Sequence, residues 1–473
     1  MLKSCDTMVA LGNATANGQT LFAKNSDRPA NECQPLVLHK RRAHPPGTLT
    51  QCQFVELPEV STTYRHIGSR PCWCWGYEHG FNEHQVAIGN EGLHSRFSFD
   101  EPKLIGMELV RLGLERARTA AEAVEVMTDL ITRYGQGAFK DAPLDGKYDN
   151  GYLVADPHEA YVIETAGHQW AVKRVEETVG ISNVYSLGTD WDRLSPEAEQ
   201  VAAARGWRQP EQGRLHFAAT FSEEGFRWDG VAQALDLLVN EVRRHGVLRA
   251  VDEIREEIQE LALLGSGARR RARSCAVLAQ KEGAIDAATM MALLSDHATG
   301  TKPTEPFQTQ LGAPGGICIH YDDEKTGTNT AASLVADLCA DGSRLPVYWC
   351  SFYSPCLGVF LPIFLEGDLP PILSVGGAEP DAESPWWQFR RLSRAVRARP
   401  EERVGTVRQE WAEMQGRLLR SAYDVAAEGR RLIDAGREEA AGRLVADYMN
   451  ENVTEMRARI SRMLKEFALT PGT

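Results

Sequence analysis

Short apolar runs separated by turn residues open the chain. Residues 7–11 form one such run, the pair Asn17-Gly18 follows, and residues 20–23 form a second run. Two runs of this length joined by an Asn-Gly pair are typical of paired strands and a turn. We therefore predict a β-hairpin that begins almost at the first residue.

The pattern then changes to helices and later returns to strands. Further strands are predicted at residues 86–88, 152–155, 161–164, 170–172 and 180–182. Helices are predicted at residues 103–118, 120–134 and 231–264, where apolar residues recur every three or four positions. Late strands are predicted at ICIHY (317–321), TNTAASLVADL (328–338) and within 345–365. Strands and helices without regular alternation predict mixed sheets with helices on their outer faces.

The C-terminal part of the chain differs in composition. Beyond Trp386 and Trp387, residues 388–467 are rich in Arg, Glu and Ala, with apolar residues in helical rhythm. We predict a helical region over 386–467 that packs on the core or on another subunit. The apolar run at 345–365 contains Pro355 and Pro362 and fits buried strands better than a membrane span.

Charge and composition narrow the functional classes. The chain has 473 residues and a net charge of −13, which argues against general binding to nucleic acid or to an anionic membrane. The ten cysteines lack the dense spacing of a secreted disulfide scaffold, and no signal segment is apparent, so a cytoplasmic location is expected. A local basic cluster is expected to be a solvated face; it consists of Arg269, Arg270, Arg271 and Arg273.

Cys5 is the first candidate for chemistry. The predicted hairpin brings Lys24 and Asp27 back toward the strand of Cys5. A cation near a thiol favours the reactive thiolate. No His lies in a recognisable cysteine-protease signature, so another base is needed. If residues 1–4 were removed, Cys5 would own a free α-amine with an ordinary pKa of about 7.7–8.0, which suits a general base.

Other candidate sites are weaker. His79, Glu83 and His84 miss the spacing of the helical zinc motifs. Four thiols also lack paired CxxC spacing; they are Cys33, Cys52, Cys72 and Cys74. We therefore predict no metal and no cofactor. His320 is expected to be structural, and three tryptophans fit a core better than a substrate pocket; they are Trp73, Trp75 and Trp170.

Several long segments of the chain together point to one known family. The first is CDTMVALGNATANGQTLFAKNSDRP, from residue 5 to residue 29. The later ones are SRPCWCWGYEHGFNEHQVAIGNEGL (69–93), LIGMELVRLGLERARTAAEAVEVM (104–127), YGQG (134–137), YLVADPHEAYVIETAGHQWAVKRV (152–175), ICIHY (317–321) and SPWWQFRRL (384–392). In this order, the segments resemble the secernin and cysteine-dipeptidase family of N-terminal-nucleophile hydrolases, and the resemblance spans essentially the whole chain.

The resemblance implies a fold and a division of the chain. The fold is an α+β, four-layer αββα sandwich with a C-terminal helical appendage. Residues 1–4 would be a stub released by self-cleavage, residues 5–370 the catalytic domain and residues 386–467 the helical region.

The resemblance also implies roles for individual residues. Cys5 would be the nucleophile, and Asp27 would hydrogen-bond the freed amine. Asn90, in AIGNEG, and Asn183, in ISNVYS, are similar to the asparagines that stabilise the oxyanion and position the amine in related acylases. Lys24 stands where those acylases usually carry Arg, and it offers a point charge in place of a fork.

The implied activity is amide hydrolysis through a thioester, most simply as a dipeptidase on a small peptide. Two alternatives stay open: an acylase for a non-peptide N-acyl amide, and a non-catalytic scaffold that uses the C-terminal helices for partners. The expected partner is a small peptide or amide substrate, with neither nucleic acid nor membrane. A homo-oligomer is compatible with the resemblance.

Overall fold

The computed structural model describes residues 4–97, 101–137, 149–207, 213–223, 266–297, 316–320 and 328–469. Two large antiparallel sheets and two short two-stranded ribbons lie within these segments. The predicted helix at residues 231–264 lies outside them. No helix in the described part of the chain has the length and apolar character needed to cross a membrane.

The first sheet has the N-terminal hairpin near its centre. Its strands in spatial order are β14 (Thr178–Ser182), β1 (Ser4–Ala10), β2 (Leu21–Pro29), β16 (Thr328–Asp337), β17 (Val347–Phe352) and β18 (Leu361–Ile363). β1 and β2 pair antiparallel with Cys5 opposite Ser26, so the predicted hairpin is confirmed. Gly18 has φ +74, a conformation that glycine adopts without strain in the turn between them.

The second sheet contains four of the five strands predicted in the middle of the chain. Its spatial order is β15 (Arg193–Leu194), β13 (Gln169–Arg174), β12 (Ala160–Ala166), β11 (Asp149–Ala155), β10 (Ala87–Leu93), β9 (His79–Asn82), β8 (His66–Ser69) and β3 (Leu36–His39). The ribbons pair β4 (Arg42–Ala43) with β7 (Thr62–Thr63) and β5 (Leu49–Gln51) with β6 (Glu56–Pro58). The five predicted runs fall on β10 to β14.

Helices cover the outer faces of both sheets. The helices of the described residues are α1 (Gly106–Arg116), α2 (Ala120–Tyr134), α3 (Ala198–Ala204), α4 (Phe217–Phe221), α5 (Ser266–Gln280), α6 (Ala287–Leu294), α7 (Pro385–Ala398), α8 (Pro400–Asp434) and α9 (Glu438–Leu469). α1 and α2 pack on the second sheet, α5 and α6 pack on the first, and the two sheets meet through β1 and β10. The predicted αββα sandwich is therefore confirmed.

Local sequence explains the bounds of α2, which match the prediction. The Thr119 hydroxyl accepts a hydrogen bond of 3.1 Å from the backbone N–H of Glu122 and so caps the first turn. Gly135 follows the last turn with φ +68, where a side chain would be strained. Leu130 and Ile131 belong to the buried stripe between them.

The interior lies in two apolar layers. One fills the space between the sheets and continues under the C-terminal helices, and the other lies between the second sheet and α1 with α2. Phe81 of β9 stacks on Tyr348 of β17 across the first layer, with ring centroids 3.6 Å apart. Apolar side chains thus join the two sheets away from the polar residues described below.

The C-terminal helices pack directly on the first sheet. α8 and α9 form a long antiparallel pair that contacts β18, and α7 contacts β17. Trp386 of α7 is fully buried, and its indole N–H donates a hydrogen bond of 2.8 Å to the carbonyl oxygen of Ala331 in β16. The Tyr353 ring lies edge-on to it at 5.2 Å. Trp386 therefore anchors the helices to the strand next to the hairpin.

The prediction of a strand at residues 317–321 is wrong. Residues 316–320 bend, with one isolated bridge between His320 and Asn329, and Tyr321 lies outside the described residues. The backbone N–H groups of Ile317 and Cys318 both donate hydrogen bonds of 2.9 Å to the carbonyl oxygen of Asp296. The apolar run indicated a strand, but a loop carbonyl takes the donors that a strand ladder would use.

We expect Trp386→Ala to lower the free energy of unfolding by about 3–5 kcal/mol, because it opens a large cavity in a packed layer. Chemical denaturation followed by circular dichroism measures the change. Trp73→Ala is the control, since Trp73 is 37% exposed, and its effect should stay within about 0.5 kcal/mol. Equal midpoints for the two variants would mean that α7 is not anchored through this side chain.

Candidate active site

Cys5 lies in β1 with its sulfur in the space between the two sheets. Cys5 and Thr7 point to the same face of the strand, and the Thr7 hydroxyl donates to Glu91 of β10 in the second sheet. The Cys5 side chain is 5% exposed. The backbone N–H of Asp27 lies 3.4 Å from the sulfur and donates to it. The hairpin register therefore sets the position of the thiol.

Buried charges surround this thiol. Lys24 is fully buried, and its ammonium donates a hydrogen bond of 2.5 Å to the carbonyl oxygen of Asn90 and lies 3.4 Å from a carboxylate oxygen of Glu91. Burial disfavours the ammonium, but the Cys5 sulfur and the neighbouring carboxylates outweigh it and raise the pKa of Lys24. Burial raises the pKa of Glu91 to about 7, although Lys24 opposes this.

The same surroundings keep the sulfur protonated. Burial raises the pKa of the Cys5 thiol to about 12, and the positive charge of Lys24 only partly offsets it. The carboxylates of Glu78, Asp27 and Glu91 raise the pKa further. Because the thiolate and not the thiol is the nucleophile, a reaction at this sulfur would need a base close by.

Asn183 holds the backbone of Cys5. The N–H of Cys5 donates a hydrogen bond of 2.6 Å to the side-chain oxygen of Asn183, and the Asn183 amide in turn donates one of 2.9 Å to the carbonyl oxygen of Gly92. Asn183 follows β14, which pairs with β1 through Ser182 opposite Asp6. The structure thus brings the predicted amine-positioning residue to the α-nitrogen of Cys5.

Arg270 of α5 also holds the backbone of Cys5, contrary to the prediction of a solvated face. Its guanidinium donates hydrogen bonds of 2.9 Å to the carbonyl oxygen of Cys5, 2.6 Å to the carboxylate of Asp6 and 3.0 Å to the side-chain oxygen of Asn183. Asn183 and Arg270 together form the hydrogen-bonding frame of the Cys5 backbone. Arg270 is fully buried. Burial raises the pKa of Asp6, and Arg270 opposes that rise. Nothing in the sequence marks this contact, because only the fold buries Asp6 and so creates the need for a counter-charge.

Two glycines allow α5 to come this close. A Cβ at Gly180 of β14 would collide with the Ser274 side chain, and a Cβ at Gly267 would meet the backbone of Asn183. The close approach lets the Arg270 side chain reach the strand that carries Cys5.

Asp27 lies beside the peptide bond that precedes Cys5. In the β1–β2 register Asp27 is opposite Ser4. One oxygen of its carboxylate accepts a hydrogen bond of 2.6 Å from the Thr330 hydroxyl. The β16 register shifts between Thr330 and Ala332, and such bulges often re-aim side chains at functional sites. The predicted contact between Asp27 and a freed amine stays a prediction.

Asn90 is not turned toward Cys5. Its side-chain amide lies 3.0 Å from the Asn150 amide, and its amide also faces the carbonyl oxygen of Glu78. Asn150 in turn packs against Gly106 at the start of α1, on the outer face of the second sheet. Of the five predicted site residues, the structure gathers four around the hairpin and leaves the Asn90 amide in a separate network.

The weaker candidates lie elsewhere. The Glu83 carboxylate accepts from Arg41, while His84 packs edge-on to Tyr64 with ring centroids 4.5 Å apart. Trp75 lies under the Arg111 guanidinium at 3.8 Å, and the Trp170 indole N–H donates a hydrogen bond of 2.9 Å to the Thr132 hydroxyl behind the second sheet. These contacts are structural and do not line the surroundings of Cys5.

Comparison with known proteins points to one family. Residues 4–197 match the model of peptidase family C69. This stretch contains both the hairpin and Asn183.

Two curated relatives carry related names. A "Dipeptidase" of Bifidobacterium longum (strain NCC 2705) is 24% identical over 213 residues, and a "Probable dipeptidase" of Salmonella dublin is 22% identical over 260 residues. These alignments cover 40% and 47% of this chain. They span only 38% and 54% of the relatives' own lengths.

Solved structures give weak likenesses. A mutant of conjugated bile acid hydrolase from Clostridium perfringens has a TM-score of 0.38 at 13% identity, covering 74% of this chain and 89% of its own. Penicillin V acylase from Agrobacterium tumefaciens has a TM-score of 0.36 at 12% identity, covering 76% and 86%. Likenesses at this level add nothing to the fold described above. The family match is the firmer finding: residues 4–197 are similar to peptidase family C69, which agrees with the resemblance to the cysteine dipeptidases.

Proposed function

We propose that this chain is a cysteine-nucleophile amide hydrolase that acts on dipeptides through Cys5. The observation that carries the proposal is the frame around the Cys5 backbone. Asn183 accepts from its nitrogen at 2.6 Å, and Arg270 donates to its carbonyl oxygen at 2.9 Å. The ladder between β1 and β14 begins at Asp6 opposite Ser182, so the backbone of Cys5 lies beyond it and is held by these two side chains.

The base is the α-amine of Cys5 itself, once residues 1–4 have been removed. A thiol with a pKa of about 12 is almost wholly protonated at neutral pH. A free α-amine has an ordinary pKa of about 7.7–8.0 and would lie on the same residue. Asn183 already holds this nitrogen, and Asp27 lies beside it in the hairpin register. Nucleophile and base then keep one fixed geometry.

Removal of the stub would use the same groups. The bond between Ser4 and Cys5 lies between Asp27 on β2 and Asn183 after β14. The Cys5 sulfur attacks the carbonyl carbon of Ser4, the bond between that carbon and the Cys5 nitrogen breaks, and the thiol proton goes to this nitrogen, which becomes the α-amine. Water then cleaves the thioester. The products are an acid that ends at Ser4 and a chain that begins at Cys5.

Turnover follows the same order of bonds. The amine takes the thiol proton, and the ammonium of Lys24 stabilises the thiolate by its charge. The thiolate attacks the substrate carbonyl. The amine of the substrate then leaves with the proton that the α-amine of Cys5 had taken, and water hydrolyses the thioester. An oxyanion donor contributes about 2.7–4 kcal/mol in such reactions. Asn90 keeps that predicted role only if its amide turns away from Asn150.

The names of the relatives favour dipeptides over other amides as substrates. Both curated relatives are named as dipeptidases, although the alignments cover about half of each protein or less. Dipeptides therefore come first in a substrate panel, and N-acyl amides are the comparison set.

Intact mass tests the processing step. We expect the purified chain to lack residues 1–4 and the Cys5→Ala variant to retain them, because the sulfur is the attacking group. Cys72→Ser should be processed like the wild type, since Cys72 is a half-buried thiol in another part of the fold. A Cys5→Ala chain that still begins at residue 5 would show that another agent removes the stub.

Steady-state hydrolysis tests the nucleophile. We expect Cys5→Ala to lower kcat by at least about 10³-fold, as the loss of a nucleophile does in other acyl-transfer enzymes. Cys72→Ser again serves as the matched thiol variant and should keep the wild-type kcat. Equal dipeptide turnover by the wild type and Cys5→Ala would exclude Cys5 as nucleophile.

Asn183 is tested as a positioning residue. We expect Asn183→Ala to lower kcat by about 10²-fold with little change in KM, because a misplaced amine removes the proton less efficiently. Asn183→Asp keeps the acceptor oxygen and should recover part of kcat. Asn450→Ala, on the exposed face of α9, is the control. A rise in KM with kcat unchanged would assign Asn183 to substrate binding.

A further inference from the structure

Four side chains that bind transition metals meet at one point away from Cys5. They are His297, Cys318, His320 and Cys356. Their nitrogen and sulfur atoms all lie within 4.8 Å of one another. Among the described residues no other group of three or more such side chains comes together, so the arrangement is not a general feature of the surface.

Hydrogen bonding alone does not account for these contacts. The Nε2 atom of His320 lies 3.0 Å from Nε2 of His297, 3.2 Å from Sγ of Cys318 and 3.1 Å from Sγ of Cys356. One ring nitrogen carries either one proton or one lone pair, so it forms one good hydrogen bond and not three. A cation at the centre would accept an electron pair from all four atoms at once.

The spacing fits a small tetrahedral ion. Zinc–sulfur bonds of ~2.3 Å and zinc–nitrogen bonds of ~2.0–2.1 Å in a tetrahedron place ligand atoms about 3.3–3.8 Å apart. The contacts to Nε2 of His320 are 3.0–3.2 Å, so the side chains need to open by only a few tenths of an ångström. Two thiolates also balance the charge of a divalent ion.

The surroundings of His320 complete the site. On the far side of the ring, Nδ1 lies 3.4 Å from the Ser354 hydroxyl and 3.3 Å from Nη2 of Arg397. For Nε2 to offer its lone pair to a metal, Nδ1 must carry the proton and donate to the Ser354 hydroxyl, and the Arg397 guanidinium, which can only donate, then bonds to Asn329 and not to Nδ1. The Arg397 guanidinium donates this hydrogen bond to Asn329 over 2.8 Å and adds positive charge next to the thiols.

We infer that His297, Cys318, His320 and Cys356 bind a structural zinc ion. Two cysteines and two histidines form the closed tetrahedral set typical of structural zinc, with no position left for a substrate. The ion would join three separate parts of the chain: the end of α6, the bend at residues 316–320 and the turn after β17. The inference itself does not depend on the proposed hydrolase activity.

One consequence does rest on the proposed function. Ile319 lies between two of the ligands, and its N–H donates a hydrogen bond of 2.9 Å to the Thr330 hydroxyl. That hydroxyl donates one of 2.6 Å to the carboxylate of Asp27. The zinc site would therefore fix the bend that positions Asp27 beside Cys5.

Metal analysis of the full chain tests the inference. After expression with zinc and exhaustive dialysis, we expect about one zinc ion per chain, as a closed set of four ligands binds. The double variant Cys318→Ser/Cys356→Ser should retain less than about a tenth of that, whereas Cys72→Ser should match the wild type. Cobalt in place of zinc should give the strong visible bands of a tetrahedral ion and thiolate-to-cobalt charge transfer.

The cobalt spectrum of the wild type decides the matter even if the double variant does not fold. Zinc content no higher in the wild type than in a folded double variant would overturn the inference. So would a wild type without thiolate-to-cobalt charge transfer, or one whose mass shows a disulfide between Cys318 and Cys356. Because none of these readouts is enzyme activity, the zinc site and the proposed hydrolase succeed or fail independently.

Discussion

The fixed backbone of Cys5 is the constraint on which the rest of the site depends. Its nitrogen donates to Asn183, which follows β14, and its carbonyl oxygen accepts from Arg270 of α5. Arg270 is itself fixed by the buried carboxylate of Asp6 at 2.6 Å. Removing one member of a buried ion pair costs about 3–5 kcal/mol, so the frame resists change. The position of Cys5 thus relies on tertiary packing rather than on a local motif.

A second buried pair controls the charge at the sulfur. Lys24 and Glu91 lie fully buried between the sheets, where neither has access to water. Burial and the surrounding carboxylates favour a neutral thiol, and Lys24 favours the thiolate. The balance leaves the thiol protonated, which is why the proposed mechanism takes its base from the same residue. The Lys24 ammonium also donates to the Asn90 carbonyl oxygen, so the sulfur is not its only interaction partner.

Local features of the fold were predictable, whereas long-range contacts were not. The Asn17-Gly18 turn and the apolar runs beside it indicated the hairpin, and Thr119 with Gly135 delimits α2.

Asn183 was found by resemblance alone, since an Asn after a strand has no distinctive pattern. Arg270 was misread because its neighbours are half-exposed arginines, and only the fold shows that its side chain meets Asp6. His297 and Cys356 were missed since 59 positions separate them, and periodicity carries no information on such contacts.

Trapping the acyl-enzyme tests the central claim most directly. A slowly hydrolysed dipeptide analogue is mixed with the wild-type protein, turnover is quenched in acid, and the peptides are mapped by mass spectrometry. The account predicts an acyl group on the sulfur of a peptide whose first residue is Cys5. Turnover that leaves no acyl group on Cys5, or that proceeds on a chain still continuous through Ser4, would contradict it.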